Sequence, residues 1–398
     1  MNQVSYQKEA DKLIIQITGI VDSSNSPAIE EQIQTIVEKE QADRIVMDFS
    51  DLEYITSAGL RIILRLKQDI DDTSVINVSS EIYEILDMTG FTEMMDISKA
   101  YRKFSVEGCE VIGQGANGKV YRIDRDTIVK VYMNPDSLPE IHRERELART
   151  AFILGVPTAI PYDVVKIEGG GYGSVFELLN AKSFAKLLIN QEKSLDEVVK
   201  MSVDLLKIIH STTVKPSSMP DMKAVALDWA DFLKDYLPGD QYQKLHDLIA
   251  AIPEDNHMMH GDYHIKNVML QNGESLLIDM DTLCHGHPIF ELASMFNAYV
   301  GYGDTDHSII QAFLGIPYET AGEFWHKSLE MYLGTTDEAE VKAVEDKARI
   351  IGYTRIMRRS IRRNGLNTEE GKKTIENCRQ NLAELLPKVD ELTFTVKQ

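Results

Sequence analysis

Short apolar stretches alternate with stretches of helical spacing over the first hundred residues of the chain. The apolar stretches are rich in Ile, Val and Leu, which is typical of strands, and those between them place apolar residues three and four positions apart, which is typical of amphipathic helices. The predicted strands are 13–21, 44–49 and 75–78, and the predicted helices are 28–40, 58–70 and 81–90. This alternation predicts a small α/β domain over residues 1–105, ending where the periodicity lapses.

A second pattern, built on glycines, begins a few residues later. Gly113, Gly115 and Gly118 lie in GQGANGKV, and the following residues 119–133 alternate apolar with polar side chains around a turn at 124–126. This predicts a β-hairpin, whereas a Rossmann loop would open a helix and a P-loop would continue into Gly-Lys-Ser/Thr. In kinases a glycine loop of this kind covers the phosphates of ATP, because backbone N–H groups approach closely where no Cβ intervenes.

The second strand of this hairpin carries Lys130, which could contact the α- and β-phosphates of a nucleotide. Its ammonium group would need a carboxylate to hold it in place. The predicted helix 142–154 supplies two candidates, Glu146 and Glu144, which point to different faces of the helix. We predict that Glu146 is the partner and keep Glu144 as the second choice.

The strongest chemical signal is the sequence HGDYHIKN at 260–267, followed by an apolar strand that ends at Asp279. Phosphoryl transfer needs a carboxylate near the attacking hydroxyl and hard oxygen ligands for Mg²⁺. Asp262 could accept the hydroxyl proton, and Asn267 and Asp279 could hold the metal. We expect His260 to steady this loop by packing and hydrogen bonds rather than to transfer protons.

In combination these motifs resemble those of the aminoglycoside phosphotransferase and choline kinase superfamily, over about residues 108–385. Protein kinases have His-Arg-Asp where this chain has His-Gly-Asp, and Asp-Phe-Gly where it has Ile-Asp-Met-Asp at 278–281. The resemblance implies an α+β bilobal protein-kinase-like fold. Its N-lobe would span 106–180, and its C-lobe, with a helical acceptor region, would span 181–398.

The same resemblance implies roles for individual residues. It makes Asp262 the catalytic base, assisted by Lys130, and it makes Asn267 and Asp279 the ligands of Mg²⁺. The nucleotide, ATP or GTP, would be bound by Gly113, Gly115, Gly118, Lys130, Glu146, Glu177 and Leu179. Of these, Glu177 and Leu179 belong to the segment 176–179, which corresponds to the hinge beside the adenine.

The first domain resembles a STAS domain, the fold of anti-sigma-factor antagonists, over about residues 4–105. The sequence DFSDLEYITSAGL at 48–60 carries this resemblance, although Thr56 stands where the family often has Asp. In that family the strand-to-helix turn carries a serine that a partner kinase phosphorylates, and Ser57 is the corresponding phosphoacceptor here. A phosphate at this place would meet free N–H groups and the positive end of the following helix. The alternative is that Ser57 only caps that helix.

Five arginines recur at helical spacing within 290–385, the region that the resemblance assigns to the acceptor. They are Arg355, Arg358, Arg359, Arg362 and Arg363. Two interpretations stay open. The commoner one is a solvated face with local salt bridges, each contributing little. The other is a binding site for an anionic acceptor, or for a partner's carboxylates or phosphates, which would argue against a polycationic aminoglycoside.

Composition narrows the setting of this chemistry. A net charge of −21 over 398 residues argues against nucleic acid as a partner, since its binding depends largely on Lys and Arg. The three cysteines, Cys109, Cys284 and Cys378, are odd in number and widely spaced, which argues against a disulfide framework and suits a reducing compartment. There is no apolar run of the roughly 18 residues that a membrane span needs. We therefore expect a cytoplasmic protein with no membrane partner.

Three functions remain open at this point. The leading hypothesis is an ATP- and Mg²⁺-dependent phosphotransferase that acts on a small-molecule hydroxyl, with the STAS-like domain as a regulatory module that docks a protein partner. The second is a protein or self kinase that phosphorylates Ser57. The third is a partner-switching regulator whose kinase-like half only senses nucleotide. The complete set of Asp262, Asn267 and Asp279 argues against the third, because a degenerate kinase usually loses one of them.

Overall fold

The computed structural model describes residues 3–9, 12–115 and 118–396. The chain forms two compact units. The first consists of the residues up to Glu107 together with Val164–Gly170, and the second of Gly108–Asp163 and the residues from Gly171 onward. In the described part of the chain, no helix combines the length and the apolar character needed to cross a bilayer.

The first unit is built around a five-stranded sheet with helices. Its strands are β1 (Val4–Lys8), β2 (Leu13–Val21), β3 (Arg44–Ile55), β4 (Asp72–Val78) and β5 (Ile97–Lys99), and its helices are α1 (Ser26–Glu40), α2 (Ser57–Asp69), α3 (Ser80–Met88) and α4 (Phe91–Met94). The sheet has the order β1-β2-β3-β4-β5, with β1 antiparallel to β2 and the other neighbours parallel. The predicted α/β alternation is therefore confirmed.

Alternation of apolar side chains explains most of this unit. Leu13, Ile15 and Ile17 point from successive odd positions of β2 into the core and are almost completely buried. The strand predicted over 44–49 continues to Ile55, because Leu52 and Ile55 are also buried. The short polar strand β1 has no such pattern and was not predicted.

The N-terminal part of the second unit contains the predicted hairpin. Its elements are β7 (Glu110–Gln114), β8 (Gly118–Arg122), β9 (Thr127–Tyr132), α5 (Leu138–Ile153) and β11 (Tyr172–Glu177), and β10 (Asp163–Ile167) begins here with Asp163. Strands β7, β8, β9 and β11 pair antiparallel in that order. Residues 165–167 of β10 belong to the first unit, where they pair in parallel with β6 (Arg102–Phe104).

The remainder of the second unit is mainly helical. Its helices are α6 (Phe184–Ile189), α7 (Leu195–Ser211), α8 (Met222–Phe232), α9 (Gly239–Ala250), α10 (Ile289–Tyr299), α11 (Ser308–Leu314), α12 (Tyr318–Leu333), α13 (Glu338–Arg362) and α14 (Glu369–Leu385). Its short strands are β12 (Lys182–Ser183), β13 (Met258–Met259), β14 (Val268–Gln271), β15 (Glu274–Leu277) and β16 (Cys284–His285). Single 3₁₀ turns span Pro216–Ser218, Leu233–Asp235, Met280–Thr282, Gly301–Gly303, Gly365–Asn367 and Leu386–Lys388.

Helix α10 is the centre of this helical part, since all of its residues are buried. The long helix α13 lies against it at a close approach that requires glycine. A Cβ at Gly352 of α13 would lie 2.6 Å from Oδ1 of Asn297 and 2.7 Å from the ring of Phe296. This contact fixes the position of α13, which carries the five arginines.

Candidate active site

A cavity of about 940 Å³ lies within the second unit and brings together most of the residues predicted to act. Its lining includes Gly115, Gly118, Lys130, Glu177, Leu179, Asp262, Asn267 and Asp279. Two residues that were predicted to bind the nucleotide, Gly113 and Glu146, are not part of its described lining. The residues 116 and 117 of the glycine loop lie outside the described residues. We call Lys130, Glu144, Asp262, Asn267 and Asp279 the inner end of the cavity.

The loop 260–267 joins β13 to β14 and carries two of these side chains. Nδ2 of Asn267 donates to the carbonyl oxygen of Asp262 over 3.0 Å, which fixes the orientation of the buried amide. The amide oxygen of Asn267 is therefore the atom that this residue can offer to a metal ion.

Asp279 follows β15 in an unusual backbone conformation. Its φ of 63° and ψ of 67° lie in the left-handed region, which Asp tolerates better than most residues but which still costs free energy. The conformation places the Asp279 carboxylate on the cavity, with Oδ1 2.7 Å from Nζ of Lys130. The turn thus brings a carboxylate from the end of β15 onto the lysine of β9.

Lys130 is held between two carboxylates. Its Nζ lies 3.0 Å from Oε1 of Glu144 as well as 2.7 Å from Asp279, and the side chains of Lys130 and Glu144 are 15% and 5% exposed. Burial by itself would lower the pKa of Lys130, but the charges of Glu144 and Asp279 outweigh it and raise that pKa. The lysine is therefore a fixed positive charge at the inner end.

The partner predicted for Lys130 was wrong, since Glu144 and not Glu146 holds the ammonium group. Helix α5 turns Glu144 inward together with Ile141 and Ala148, which are buried. Glu146 lies on the outer face, where its side chain is 68% exposed. The sequence contained this signal, because Glu144 stands three residues after Ile141 and four before Ala148 and so shares their face.

The carboxylate of Asp262 lies 3.4 Å from Nε2 of His264 and is partly exposed to the cavity. Burial alone would raise the pKa of Asp262, but the contact with His264 and the charges of Arg355 and His260 outweigh it. Together they lower the pKa of Asp262 to about 2. Asp262 is therefore ionised near neutral pH, as a group must be that accepts a proton.

The backbone of the loop is anchored by Glu291, which sequence reasoning missed. This fully buried carboxylate on α10 accepts the backbone N–H groups of His260 and Gly261, the latter over 3.1 Å. Burial alone would raise the pKa of Glu291, but the imidazole of His210, with His260 and the N–H of Gly261, outweighs it and lowers that pKa. A lone charge within the apolar stretch IFELASMF was the available signal.

His260 is itself buried, and it contacts both the loop 260–267 and the residue before Asp279. Its Nε2 lies 3.1 Å from the carbonyl oxygen of Ile278, and the N–H of Asp262 donates to its Nδ1 over 3.3 Å. These contacts join the loop to the strand end that carries Asp279, in agreement with a steadying role.

The glycine hairpin closes one side of the cavity. A Cβ at Gly118 would lie 2.3 Å from the carbonyl oxygen of Val131 on the paired strand β9, so this position requires glycine. On the adjoining wall, the N–H of Leu178 donates to the carbonyl oxygen of Asp126 over 2.8 Å. That bond ties the segment 176–179, which contains Glu177 and Leu179, to the turn of the hairpin.

Residues of α13 and of the start of α14 also line the cavity. Three of the five arginines noted in the sequence line it, and we call Arg355, Arg359 and Arg363 the arginine wall. The other two differ. Arg358 pairs with Asp228 over 2.9 Å, and Arg362 is exposed; neither belongs to the described lining.

In the first unit, Ser57 is exposed at the first residue of α2. The residue at the cap position is Thr56, and no side-chain bond caps this helix end. The interpretation of Ser57 as the capping residue was therefore wrong. Its hydroxyl lies at a helix N-terminus without being used to cap it.

Both halves of the chain are similar to known proteins. A model of the phosphotransferase enzyme family matches residues 108–324. The chain belongs to this family. In front of the phosphotransferase domain, a STAS domain model matches residues 3–104. The STAS domain is 25% identical over 99 residues to an anti-sigma F factor antagonist of Paenibacillus polymyxa, which covers 24% of this chain and 85% of that protein.

Two solved structures are similar to this chain over most of its length. One is a thermostable mutant of aminoglycoside phosphotransferase APH(4)-Ia in a ternary complex with ADP and hygromycin B. It is 12% identical, with a TM-score of 0.50, and covers 70% of this chain and 93% of its own. The other is the streptomycin–ATP–APH(2″)-IIa ternary complex, 15% identical with a TM-score of 0.47, which covers 78% of this chain and 99% of its own. The first of these supports the predicted phosphotransferase fold.

Proposed function

We propose that this phosphotransferase family member transfers the γ-phosphoryl group of ATP or GTP to the hydroxyl of a small molecule, with the STAS domain as a regulatory module for a protein partner. The observation that carries the proposal is the assembly of Lys130, Asp262, Asn267 and Asp279 on one cavity. The APH(4)-Ia structure named above holds ADP together with hygromycin B. Its bound nucleotide supports a nucleotide as the donor here.

The cavity suits a nucleotide in three ways. The glycine hairpin can cover phosphates, while Lys130, fixed by Glu144, can contact them as a positive charge. Glu177 and Leu179 line the wall where the resemblance places the adenine. Backbone pairing of β8, β9 and β11 fixes the positions of these groups relative to one another, which makes the arrangement rigid.

Residues at the inner end also fit Mg²⁺. Asn267 offers its amide oxygen and Asp279 its carboxylate, which are the hard oxygen ligands that this ion prefers. The carboxylate of Asp281 lies on the same cavity, and burial together with the charge of Asp279 raises its pKa. Bound there, Mg²⁺ would neutralise the charge that develops on the transferred phosphoryl group.

Asp262 would act on the acceptor. Its ionised carboxylate can orient the attacking hydroxyl and take its proton as the new O–P bond forms and the bond to the leaving diphosphate breaks. With a pKa of about 2, Asp262 is a weak base. Its contribution therefore lies in positioning the hydroxyl and in accepting the proton late in the transfer.

The first test is nucleotide consumption with Mg²⁺ across a panel of small-molecule alcohols, with intact-mass analysis of the protein in parallel. Turnover that depends on an alcohol supports the proposal. If the protein binds ATP but consumes none with any alcohol and gains no mass, the nucleotide-sensing hypothesis replaces it.

A second function, phosphorylation of Ser57 in the same or another copy of the chain, is favoured by the exposure of this serine at a helix N-terminus. It predicts a gain of about 80 Da, the mass of one phosphoryl group, in protein incubated with ATP. The Ser57→Ala variant would not gain that mass. A wild-type protein that gains none would exclude this function.

A further inference from the structure

The arginine wall differs in charge from the rest of the molecule. The chain carries a net charge of −21, yet three arginines follow one another at intervals of four residues along one side of the cavity. Lys266 lines the same cavity, with its ammonium 5.2 Å from the ring centre of Phe313. Near the wall, the first turn of α14 contributes one lining carboxylate, Glu370.

The hydrogen-bond partners of Arg355 and Arg359 are neutral. Nη1 of Arg355 donates to the carbonyl oxygen of Gly261 over 3.2 Å and to Oγ of Ser294 over 3.0 Å. Nη1 of Arg359 donates to the hydroxyl of Tyr302 over 2.9 Å, and its guanidinium lies 5.3 Å from the centre of that ring. These contacts hold the two guanidinium groups in place, and the contact of Arg359 with Tyr302 leaves its charge without a counter-ion.

Arg358 provides the contrast. It lies on the same helix but turns away from the cavity, where it forms an ion pair with Asp228. In the described part of the chain, no carboxylate forms an ion pair with Arg359 or Arg363. Local salt bridges therefore explain Arg358, whereas they do not explain the arginines that face the cavity.

The spacing of the three arginines along α13 indicates the size of the molecule that could bind. Arg355 contacts Gly261, the residue before the proposed base Asp262. Four residues of an α-helix rise about 6 Å, so the backbone of Arg359 lies about 6 Å, and that of Arg363 about 12 Å, farther along the wall. A charged group bound by these two arginines would thus lie one small-molecule length from the hydroxyl that faces Asp262.

We propose that the acceptor is a small alcohol that also carries a carboxylate or a phosphate, and that Arg359 and Arg363 bind this anionic group. The guanidinium group suits both anions, because its parallel N–H groups bind two oxygens at once. The acceptor oxygen forms a bond to the γ-phosphorus, the bond to the leaving diphosphate oxygen breaks with its electron pair, and the hydroxyl proton passes to Asp262. This inference rests on the proposed function and names its substrate class.

The test is a binding titration on protein loaded with Mg²⁺ and AMP-PNP, so that the phosphate sites of the nucleotide are already filled. The probes are glycerol 3-phosphate and glycerate, with glycerol and choline as the neutral and cationic controls. We expect at least one anionic probe to bind the wild type, and the phosphate and carboxylate arms to show which anion is preferred. Failure of both anionic probes, or equal binding of glycerol or choline, would overturn the inference.

Variants locate the binding on the wall. Arg359→Gln/Arg363→Gln should weaken the anionic probe at least tenfold, which corresponds to about 1.4 kcal/mol. Arg362→Gln is the matched control, since it removes one exposed arginine of the same helix end that is outside the described lining, and it should bind as the wild type does. Arg359→Lys should retain part of the affinity. Equal affinity in the double variant and the wild type would place the anion elsewhere and contradict the inference.

Two further readouts keep the outcomes apart. AMP-PNP affinity is measured first in every variant, since protein that binds no nucleotide contradicts the proposed function rather than the acceptor class. Thermal unfolding of each variant shows whether it is folded. If the double variant unfolds early, the single variants Arg359→Gln and Arg363→Gln are titrated instead and should each weaken the anionic probe severalfold.

Discussion

The inner end and the arginine wall of the cavity differ in how their charged groups are paired. At the inner end, the charge of Lys130 is paired with the carboxylates of Glu144 and Asp279 over 3.0 and 2.7 Å, and Lys130 and Glu144 are nearly buried. On the arginine wall, Arg359 and Arg363 are exposed to the cavity, and Arg359 is held by a neutral tyrosine. Groups that hold one another fix a geometry, whereas charges without a counter-ion attract a ligand. We expect changes at the inner end to reduce turnover or stability, and changes at Arg359 and Arg363 to alter acceptor affinity alone.

The largest effect should come from Asp262→Ala. Loss of the proposed base should lower kcat about 100- to 10,000-fold, while the affinity for ATP stays close to that of the wild type because Lys130 and the glycine hairpin are untouched. Single-turnover kinetics and an ATP titration measure the two quantities. Wild-type kcat in this variant would remove Asp262 from the chemistry.

Glu291→Gln tests how much the anchoring of the loop 260–267 contributes to the stability of the protein. The change replaces a buried carboxylate that accepts two backbone N–H groups, so the free energy of unfolding should fall by about 3 kcal/mol at pH 7. Urea unfolding of both proteins measures this difference.

The same variant predicts a pH dependence. Because folding lowers the pKa of Glu291, its ionised form stabilises the wild type above the ordinary pKa of 4.5, and this advantage is lost as the pH falls through the lower folded-state value. The difference between wild type and variant should therefore shrink below about pH 4.5. A difference that grows toward acid pH would show that Glu291 is not the ionised anchor.

Glu144→Gln should affect nucleotide use more than stability. Without this carboxylate, Asp279 is the remaining carboxylate partner of Lys130 among the described residues, and misplacement of the ammonium group should lower kcat/KM for ATP about 100-fold. Glu146→Gln is the matched control on the same helix and should behave as the wild type, since Glu146 faces outward. The reverse ranking of the two variants would restore the original assignment.

The smallest effect should have the opposite sign. Glu370→Gln removes the carboxylate that lines the cavity beside the arginine wall, so an anionic probe should bind about two- to fivefold more tightly. The gain should disappear in high salt, because exposed charges are screened. Weaker binding of the anionic probe in this variant would contradict the contrast between the two sides.

The fold and most residues of the inner end could be predicted from the sequence, because short continuous segments of the chain determine them. Alternation predicted β2 and the hairpin β8–β9, and the sequence HGDYHIKN placed Asp262 and Asn267 on one loop. The roles of these residues in catalysis stay predictions. Such segments did not show how side chains are oriented in the folded protein. Examples are the face of α5 that meets Lys130 and the left-handed turn at Asp279.

The arginines show the same limit. Five of them at helical spacing gave two open interpretations, and the structure separates the members: Arg358 forms an ion pair with Asp228, whereas Arg355, Arg359 and Arg363 line the cavity. Which face of α13 meets the cavity depends on its packing against α10 at Gly352, a contact between residues far apart in the chain. Such contacts have no signature in local periodicity.

The pairing of β6 with residues 165–167 has a consequence for anyone who divides this protein genetically. The first unit is not a continuous piece of sequence, because Val164–Gly170 returns to it from within the second half. A fragment that stops at Glu107 would leave β6 with an open hydrogen-bonding edge, which is a site for aggregation. A cut between residues 107 and 108 would likewise leave that segment on the wrong fragment, so the boundary between the halves is not a single point in the sequence.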